Sequence, residues 1–397
     1  LYYTTQNSRV GAIFDTTKDE MEVPKKGSDQ VIFVSIILLM IFGSLAVFSS
    51  IAFFAESHNT SAGELAVRHM IKLAVAFFVM VFVSKLNYRV IARFSRPAIL
   101  LSWILLIFTS SFGEVQFGAQ RSLSIGILTF QPTTLASAAL ILHVAVLLHE
   151  KQEYIKEFGR SFLPIMFWIT VTCALIASED FSSAAVLMTI CLFMMFVARI
   201  SIPQLSVLVL IGLIGGAAFI YTSPERQNRV TEYVTHITDI NNREFETSEG
   251  YQAQQAHIAI AQGKLFGVGI GKSTQRDFLP APYNDFIFAI IAEEYGIVGS
   301  SLVVFIYLLI LYRGIAVIAR HAPDVLGTLM ALGSTLLISF FAFINAGVAT
   351  GLLPVTGLPM PFVSYGGTSM LLAGAMAGIL LNVSRYNANL KTRFYNG

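Results

Sequence analysis

The residues best suited to chemistry gather around one aspartate. Asp285 stands where a glycine-rich loop carrying Lys264, Lys272 and Arg276 gives way to a long apolar run that begins at Phe286. An acid at such a border has two uses. It can cap the first turn of a helix, or it can take a proton from a substrate hydroxyl as a general base. A helix N-terminus favours the carboxylate, whereas a low-dielectric cavity favours the neutral acid, so the two roles pull its acidity in opposite directions. By residue type alone, capping is the commoner role. The three cations beside it suit an anionic substrate or leaving group. Glu293 and Glu294 lie about 12 Å deeper at 1.5 Å per residue. There each carboxylate needs a partner or a proton, and Lys72 is a candidate partner. Gly267 to Ser273 superficially suggests a nucleotide-binding loop, but Phe266 occupies the place of the required glycine, and no strand precedes it. These glycines are expected to form a tight turn, either approaching a phosphate through backbone N–H groups or simply letting the loop fold.

Other polar residues are weaker candidates. Arg121 is the single cation between Gly113 and Thr129. Glu179-Asp180 forms an acidic turn that would cap the following helix. His143, inside an apolar run, is expected to pack rather than ligate. Pro132, after Gln131, suits the first turn of a helix, where its missing N–H costs nothing. Thr350 to Pro361 has no charge and three prolines, and Ser364, Tyr365, Gly366 and Gly367 follow. Such a stretch reads either as irregular backbone around a cavity or as a stiff turn with close helix packing.

The elements that must position these residues are apolar helices. Apolar residues make up 55% of the chain, charged residues 13%, and mean hydropathy is +0.69, far from the balance of a soluble domain. Runs without period-2 alternation exclude a barrel and predict an all-α polytopic membrane protein of ten spans. They centre on Val31 to Phe54, Ala66 to Val83, Pro97 to Phe112, Phe130 to Leu148, Phe162 to Ala177, Ser183 to Ala198, Pro203 to Tyr221, Phe286 to Tyr312, Leu326 to Ala349 and Phe362 to Val383. Lys85, Arg89, Arg93, Arg96, Lys151, Lys156, Arg160, Arg199, Arg313, Arg320, Arg385, Lys391 and Arg393 fall in alternate connections or the tail. The positive-inside rule therefore places both termini in the cytoplasm and the large connection Thr222 to Asn284, between helices 7 and 8, outside. Two helices are expected in that connection, Arg226 to Ile240 and Tyr251 to Gln262. Residues 1–30 read as a polar tail with no cleavable leader, 31–384 as the membrane domain and 385–397 as a second tail. Leu1 to Glu20, ahead of Met21, are expected to carry no function. Cys173 and Cys191, both within spans, read as packing rather than a disulfide. The net charge of +2 gives no indication of a nucleic-acid partner.

Together these residues resemble the SEDS family of polytopic peptidoglycan polymerases, which includes RodA and FtsW. The resemblance rests on Gly118 to Arg121, Phe130-Gln131-Pro132, Asp180-Phe181, Tyr251 to Gly271, Leu279-Pro280, Asn284 to Ala289 with Glu293 to Gly296, and Pro354 to Gly367. It implies transfer of a glycan chain onto lipid II at the outer face of the bacterial cytoplasmic membrane, with Asp285 as the general base. It makes Arg121, Lys264, Lys272, Arg276, Gln131, Asp180, Glu293, Ser364 and Tyr365 candidates for binding substrate or diphosphate. No tightly bound cofactor is expected, and a divalent cation, Mg2+ or Mn2+, could share the charge neutralisation. Implied partners are undecaprenyl-linked glycan, a class B penicillin-binding protein and other membrane proteins of the division machinery. Thr134 and Ser137 depart from the family pattern, where many members carry glutamate and lysine, and Phe181-Ser182-Ser183 departs where Gly-Thr is usual. The Gly269 to Pro280 spacing looks most like the division branch. Two other readings use the same features: a lipid II transporter, and a non-catalytic division scaffold.

Overall fold

The computed structural model describes residues 27–57, 61–112, 114–116, 119–125, 128–238, 248–279 and 282–386. The chain is a helical bundle. Its helices are α1 (Gln30–Ser57), α2 (Ala62–Lys85), the short α3 (Tyr88–Arg93), α4 (Ser95–Phe112), α5 (Pro132–Glu150), α6 (Leu163–Glu179) and α7 (Phe181–Val197). Then come α8 (Ile202–Tyr221), α9 (Pro224–Thr238), α10 (Ser248–Gly263), α11 (Ile287–Tyr312), α12 (Val325–Ala349) and α13 (Thr368–Tyr386). Among the described residues, 8 helices are long and apolar enough to cross a membrane. Two further expected spans, Ser95–Ser111 and Phe181–Val197, are shorter apolar helices.

The two helices expected in the large connection form as α9 and α10. An unexpected feature lies between α4 and α5, where β1 (Glu114–Gln116), β2 (Ala119–Ile125) and β3 (Leu128–Phe130) make a small antiparallel meander. Val115 faces Gln120, and Leu123 faces Phe130. Phe117-Gly118 and Gly126-Ile127 separate the strands, the glycine punctuation that a meander requires.

Most of α12 is buried, 18 of its 25 residues, as expected of a helix that is apolar all round and occupies the centre of a bundle. Asp324 caps its start, accepting from Gly327 N at 2.7 Å, and receives Tyr88 Oη at 2.8 Å and Arg89 Nη2 at 3.0 Å. Helices α2 and α13 run parallel. A Cβ on Gly374 would strike the carbonyl of Ala76, and one on Gly378 that of Met80, so bare glycines allow the two backbones to touch. Small residues thus take the place that ridges of leucine hold in soluble bundles. Cys173 and Cys191 are buried and unbridged. His143 packs edge-on against Trp168, with centroids 4.5 Å apart.

Candidate active site

Asp285 sits in a turn formed by residues 282–286, and α11 begins at Ile287 with Phe286 as its N-cap. Asp285 therefore lies one residue outside the capping position, and the capping expectation does not hold. What fixes it is a row of three carbonyls. Tyr365 N donates to Tyr283 O at 2.8 Å, Ser364 Oγ to Asn284 O at 2.7 Å, and Asn345 Nδ2 to Asp285 O at 2.9 Å. Asn345 is buried in α12 and also donates to Leu358 O at 2.8 Å, while Ser364 Oγ accepts Met360 N at 2.8 Å. The uncharged, proline-rich stretch after α12 is thus irregular backbone, and Ser364 and Tyr365, which follow it, tie it to the aspartate turn. Gly357 has φ +70, and a Cβ there would stand 3.8 Å from Asp285 Oδ2, so the missing side chain keeps room beside the carboxylate.

A cavity of about 40 Å3 opens behind this turn, among Thr134, Ser137, Phe341, Pro361, Ser364 and Ser369. The two positions that depart from the family pattern, Thr134 and Ser137, are therefore wall residues of the cavity next to the aspartate turn. Gln131 N donates to Thr368 Oγ1 at 3.1 Å, which joins α5 to the start of α13 beside it.

Aromatic rings extend the site away from the cavity. The Tyr283 and Tyr365 rings meet edge to face at 5.5 Å, His69 stacks on Tyr365 at 5.4 Å, and Lys72 Nζ lies 4.2 Å from the Tyr365 centroid. Burial raises the Tyr283 hydroxyl to about 12, helped by Tyr365 and by the negative charge of Asp285. Burial likewise raises Tyr365, opposed by the positive charge of Arg68. Lys72 does not pair with Glu293 or Glu294, contrary to the expectation from sequence.

Those two acids serve a different structure. Gly296 has φ 67 and ψ −166, which interrupts α11. The loop after α10 fills the break. Val268 N and Gly269 N donate to the carbonyls of Glu293 and Glu294 at 2.9 and 3.1 Å, while Ile297 N and Val298 N donate to Lys264 O and Leu265 O at 2.9 and 3.2 Å. The carboxylates complete the clamp. Glu293 accepts Ser273 Oγ and Thr274 N, the latter at 2.9 Å, and Glu294 accepts Ser49 Oγ and Gly271 N, the latter at 3.1 Å. Of the two uses open to the loop's glycines, folding is the one observed. Arg276 Nη1 donates to Ser49 O at 2.9 Å, and Lys264 and Lys272 are exposed. The loop cations thus lie on the clamp, in contact with α1 and the middle of α11.

Asp180 caps α7 through Ser183 N at 3.1 Å and Ser183 Oγ at 2.6 Å, so both of its oxygens are engaged. Arg121 lies in β2, and its side chain is outside the described residues, as is Pro280. Asn345 was missed at the sequence level, although an amide deep in an apolar run is a signal in itself. Among the described residues no group of three or more His, Cys, Asp or Glu side chains could hold a metal ion. One carboxylate fits a divalent ion only in company with oxygens from a substrate.

The family model for the cell cycle proteins FtsW, RodA and SpoVE matches residues 29–389. The chain belongs to this family. Stage V sporulation protein E of Bacillus subtilis (strain 168) is 34% identical over 371 residues, covering 92% of this chain and 100% of that protein. The probable peptidoglycan glycosyltransferase FtsW of the same organism is 32% identical over 382 residues, covering 93% and 94%. The FtsW, RodA and SpoVE fold recurs in solved structures. A chain of a peptidoglycan synthase complex that coordinates polymerization and crosslinking superposes with TM-score 0.73 at 24% identity, over 91% of this chain and 99% of that one. Rod shape determining protein RodA of Thermus thermophilus gives 0.64 at 22% identity, over 92% and 98%. The chain is thus a multi-pass membrane protein of this family.

Proposed function

We propose that this family member is a peptidoglycan glycosyltransferase that polymerises lipid II at the outer face of the bacterial cytoplasmic membrane. The reading is carried by Asp285, held through three consecutive carbonyls at the end of the large outer connection, beside a cavity between helices. The names of the FtsW relatives support it. Alternation of Lys and Arg between connections supports the orientation, with both termini cytoplasmic and Asp285 external.

The acceptor's 4-hydroxyl attacks the donor's anomeric carbon, which inverts as undecaprenyl diphosphate departs. Asp285 takes the hydroxyl proton. A turn anchored at its main chain fixes where the Asp285 carboxylate stands, which preorganises a base. If a divalent ion is used, Asp285 would be the carboxylate to hold it, and the ion would supply charge neutralisation for the diphosphate. The solved complex that coordinates polymerization and crosslinking supports a crosslinking partner, which in this reading is a class B penicillin-binding transpeptidase, and the family's description as cell cycle proteins supports work in division.

Purified protein given labelled lipid II, with and without its transpeptidase, tests the reading. Asp285→Asn is expected to lower polymerisation about 10²- to 10⁴-fold, the range of a general base, while the protein still inserts in the membrane. Polymerisation at the wild-type rate would remove Asp285 from the mechanism. Translocation of lipid II in vesicles without any polymer would replace the reading with transport. A scaffold alone predicts that cells carrying the inactive variant still grow.

A further inference from the structure

A lysine inside a membrane helix is expensive unless something answers its charge. Lys72 is half-buried in α2, and among the described residues no carboxylate pairs with it. The acid nearest in sequence, Glu64, is taken by Arg68 at 2.5 Å. The ammonium instead rests on the Tyr365 ring. Beside it His69 is 2% exposed, and both of its ring nitrogens lack a hydrogen-bond partner. Buried polar atoms are rarely left so. An ammonium, an imidazole and a phenol therefore converge, and the charged groups facing them from α2 are Arg68 and Lys72. The cluster is rich in donors and its net charge is positive, the composition of a site for an anion.

Its position links it to Asp285. Because α2 and α13 run parallel with Ala76 against Gly374, Lys72, one turn before Ala76, stands level with the first turn of α13. The N–H groups of that turn have no partners within the helix and add partial positive charge. Tyr365, the ring beneath the ammonium, is hydrogen-bonded through its backbone to Tyr283, two residues before Asp285. The cation and the carboxylate are thus linked through one aromatic pair, Lys72 on the Tyr365 ring and Asp285 close enough to Tyr283 for its charge to act there.

We infer that Lys72, with His69 beside it, binds the diphosphate of the polyprenyl-linked donor and stabilises it as it leaves. This rests on the glycosyltransferase reading of Asp285. In the step, the bond from the anomeric carbon to the diphosphate oxygen breaks, and its electron pair goes to that oxygen. The acceptor oxygen bonds to the carbon, and its proton passes to Asp285. Negative charge grows on the diphosphate as the bond breaks, and a fixed ammonium in a water-poor site answers it without reorganising. Wall residues Thr134 and Ser137 carry no charge, so among the described residues the wall of that cavity supplies no cation for this task.

The test uses the full chain with its transpeptidase and labelled lipid II, comparing wild type, Lys72→Met, Lys72→Arg and Asp285→Asn. Methionine keeps the length of the side chain and removes the charge in a span that accepts it, so folding is preserved, and thermal denaturation checks this. Lys72→Met is expected to lower kcat about 100-fold, with Lys72→Arg recovering most of it. Farnesyl diphosphate and farnesol serve as competing probes. Lys72→Met should weaken inhibition by farnesyl diphosphate tenfold or more and leave inhibition by farnesol unchanged, a split that a packing defect would not produce. Wild-type kcat in Lys72→Met, or undiminished inhibition by the diphosphate, overturns the assignment while leaving Asp285 untouched. Wild-type polymerisation by Asp285→Asn instead overturns the reading on which the assignment rests.

Discussion

Asp285, Tyr283 and Tyr365 form a unit in which burial and charge act together. The Tyr283 hydroxyl is raised from 10.0 to about 12, first by burial, then by Tyr365 and Asp285. A group whose pKa is raised in the fold keeps its proton after the unfolded chain has lost it. Its contribution to stability is therefore complete below pH 10.0 and is lost as pH rises through about 12. Denaturation followed against pH should show this decline, smaller in Tyr283→Phe; an identical alkaline limb in both proteins would contradict it. The importance of Asp285 was legible in the sequence, because an acid between a basic loop and an apolar run is conspicuous. What fixes it was not, since Asn345 and Ser364 follow it by 60 and 79 residues, and only the fold brings them to the carbonyls of 284 and 285. Charge alone makes Lys72 a candidate partner for Glu293 and Glu294. Charge matching along a sequence ignores the aromatic face that holds it instead.

At the scale of elements, the broken helix α11 is the distinctive feature. Backbone groups released at mid-membrane must find partners within the protein, and the loop from Lys264 to Gln275 supplies them from both its N–H groups and its carbonyls. Gly296 adopts a conformation open only to glycine, and a Cβ on it would run into Leu265 O and Gly267 N. Gly296→Ala should therefore cost about 1–3 kcal/mol from strain alone. Thermal denaturation in detergent is the measurement, and an unchanged Tm would show that the clamp does not bear on stability. The sequence announced glycines and two acids but not their relation. Gly271, Ser273, Thr274 and Gln275 bond to the carboxylates of Glu293 and Glu294, and Lys264 and Leu265 take the N–H groups of residues 297 and 298, because a loop can pack wherever a helix leaves its backbone groups open. Leu265, Phe266, Ile270 and Phe278 remain exposed on that clamp, consistent with contact to lipid rather than water.

For the molecule as a whole, composition and periodicity were enough to find the helices, since apolar runs of this length have few other uses. They could not rank the pairings. The parallel pair α2 and α13 depends on Gly374 and Gly378 meeting the carbonyls of Ala76 and Met80, and small residues are too frequent in membrane helices for that to be read in advance. Gly374→Leu should push the pair apart at a cost of about 1–3 kcal/mol, seen as a lower Tm; a variant as stable as the wild type would show that the pair can repack freely. The same pairing sets the timetable of biogenesis. Asn382 donates to the carbonyls of Val83, Ser84 and Leu86, up to 299 residues earlier in the chain. At roughly 5–20 residues per second the ribosome takes about 15–60 s to cover that stretch. During that interval the newly inserted α2 waits without its partner, and a chain cut short before α13 would leave the carbonyls of Ala76 and Met80 without the glycines they meet.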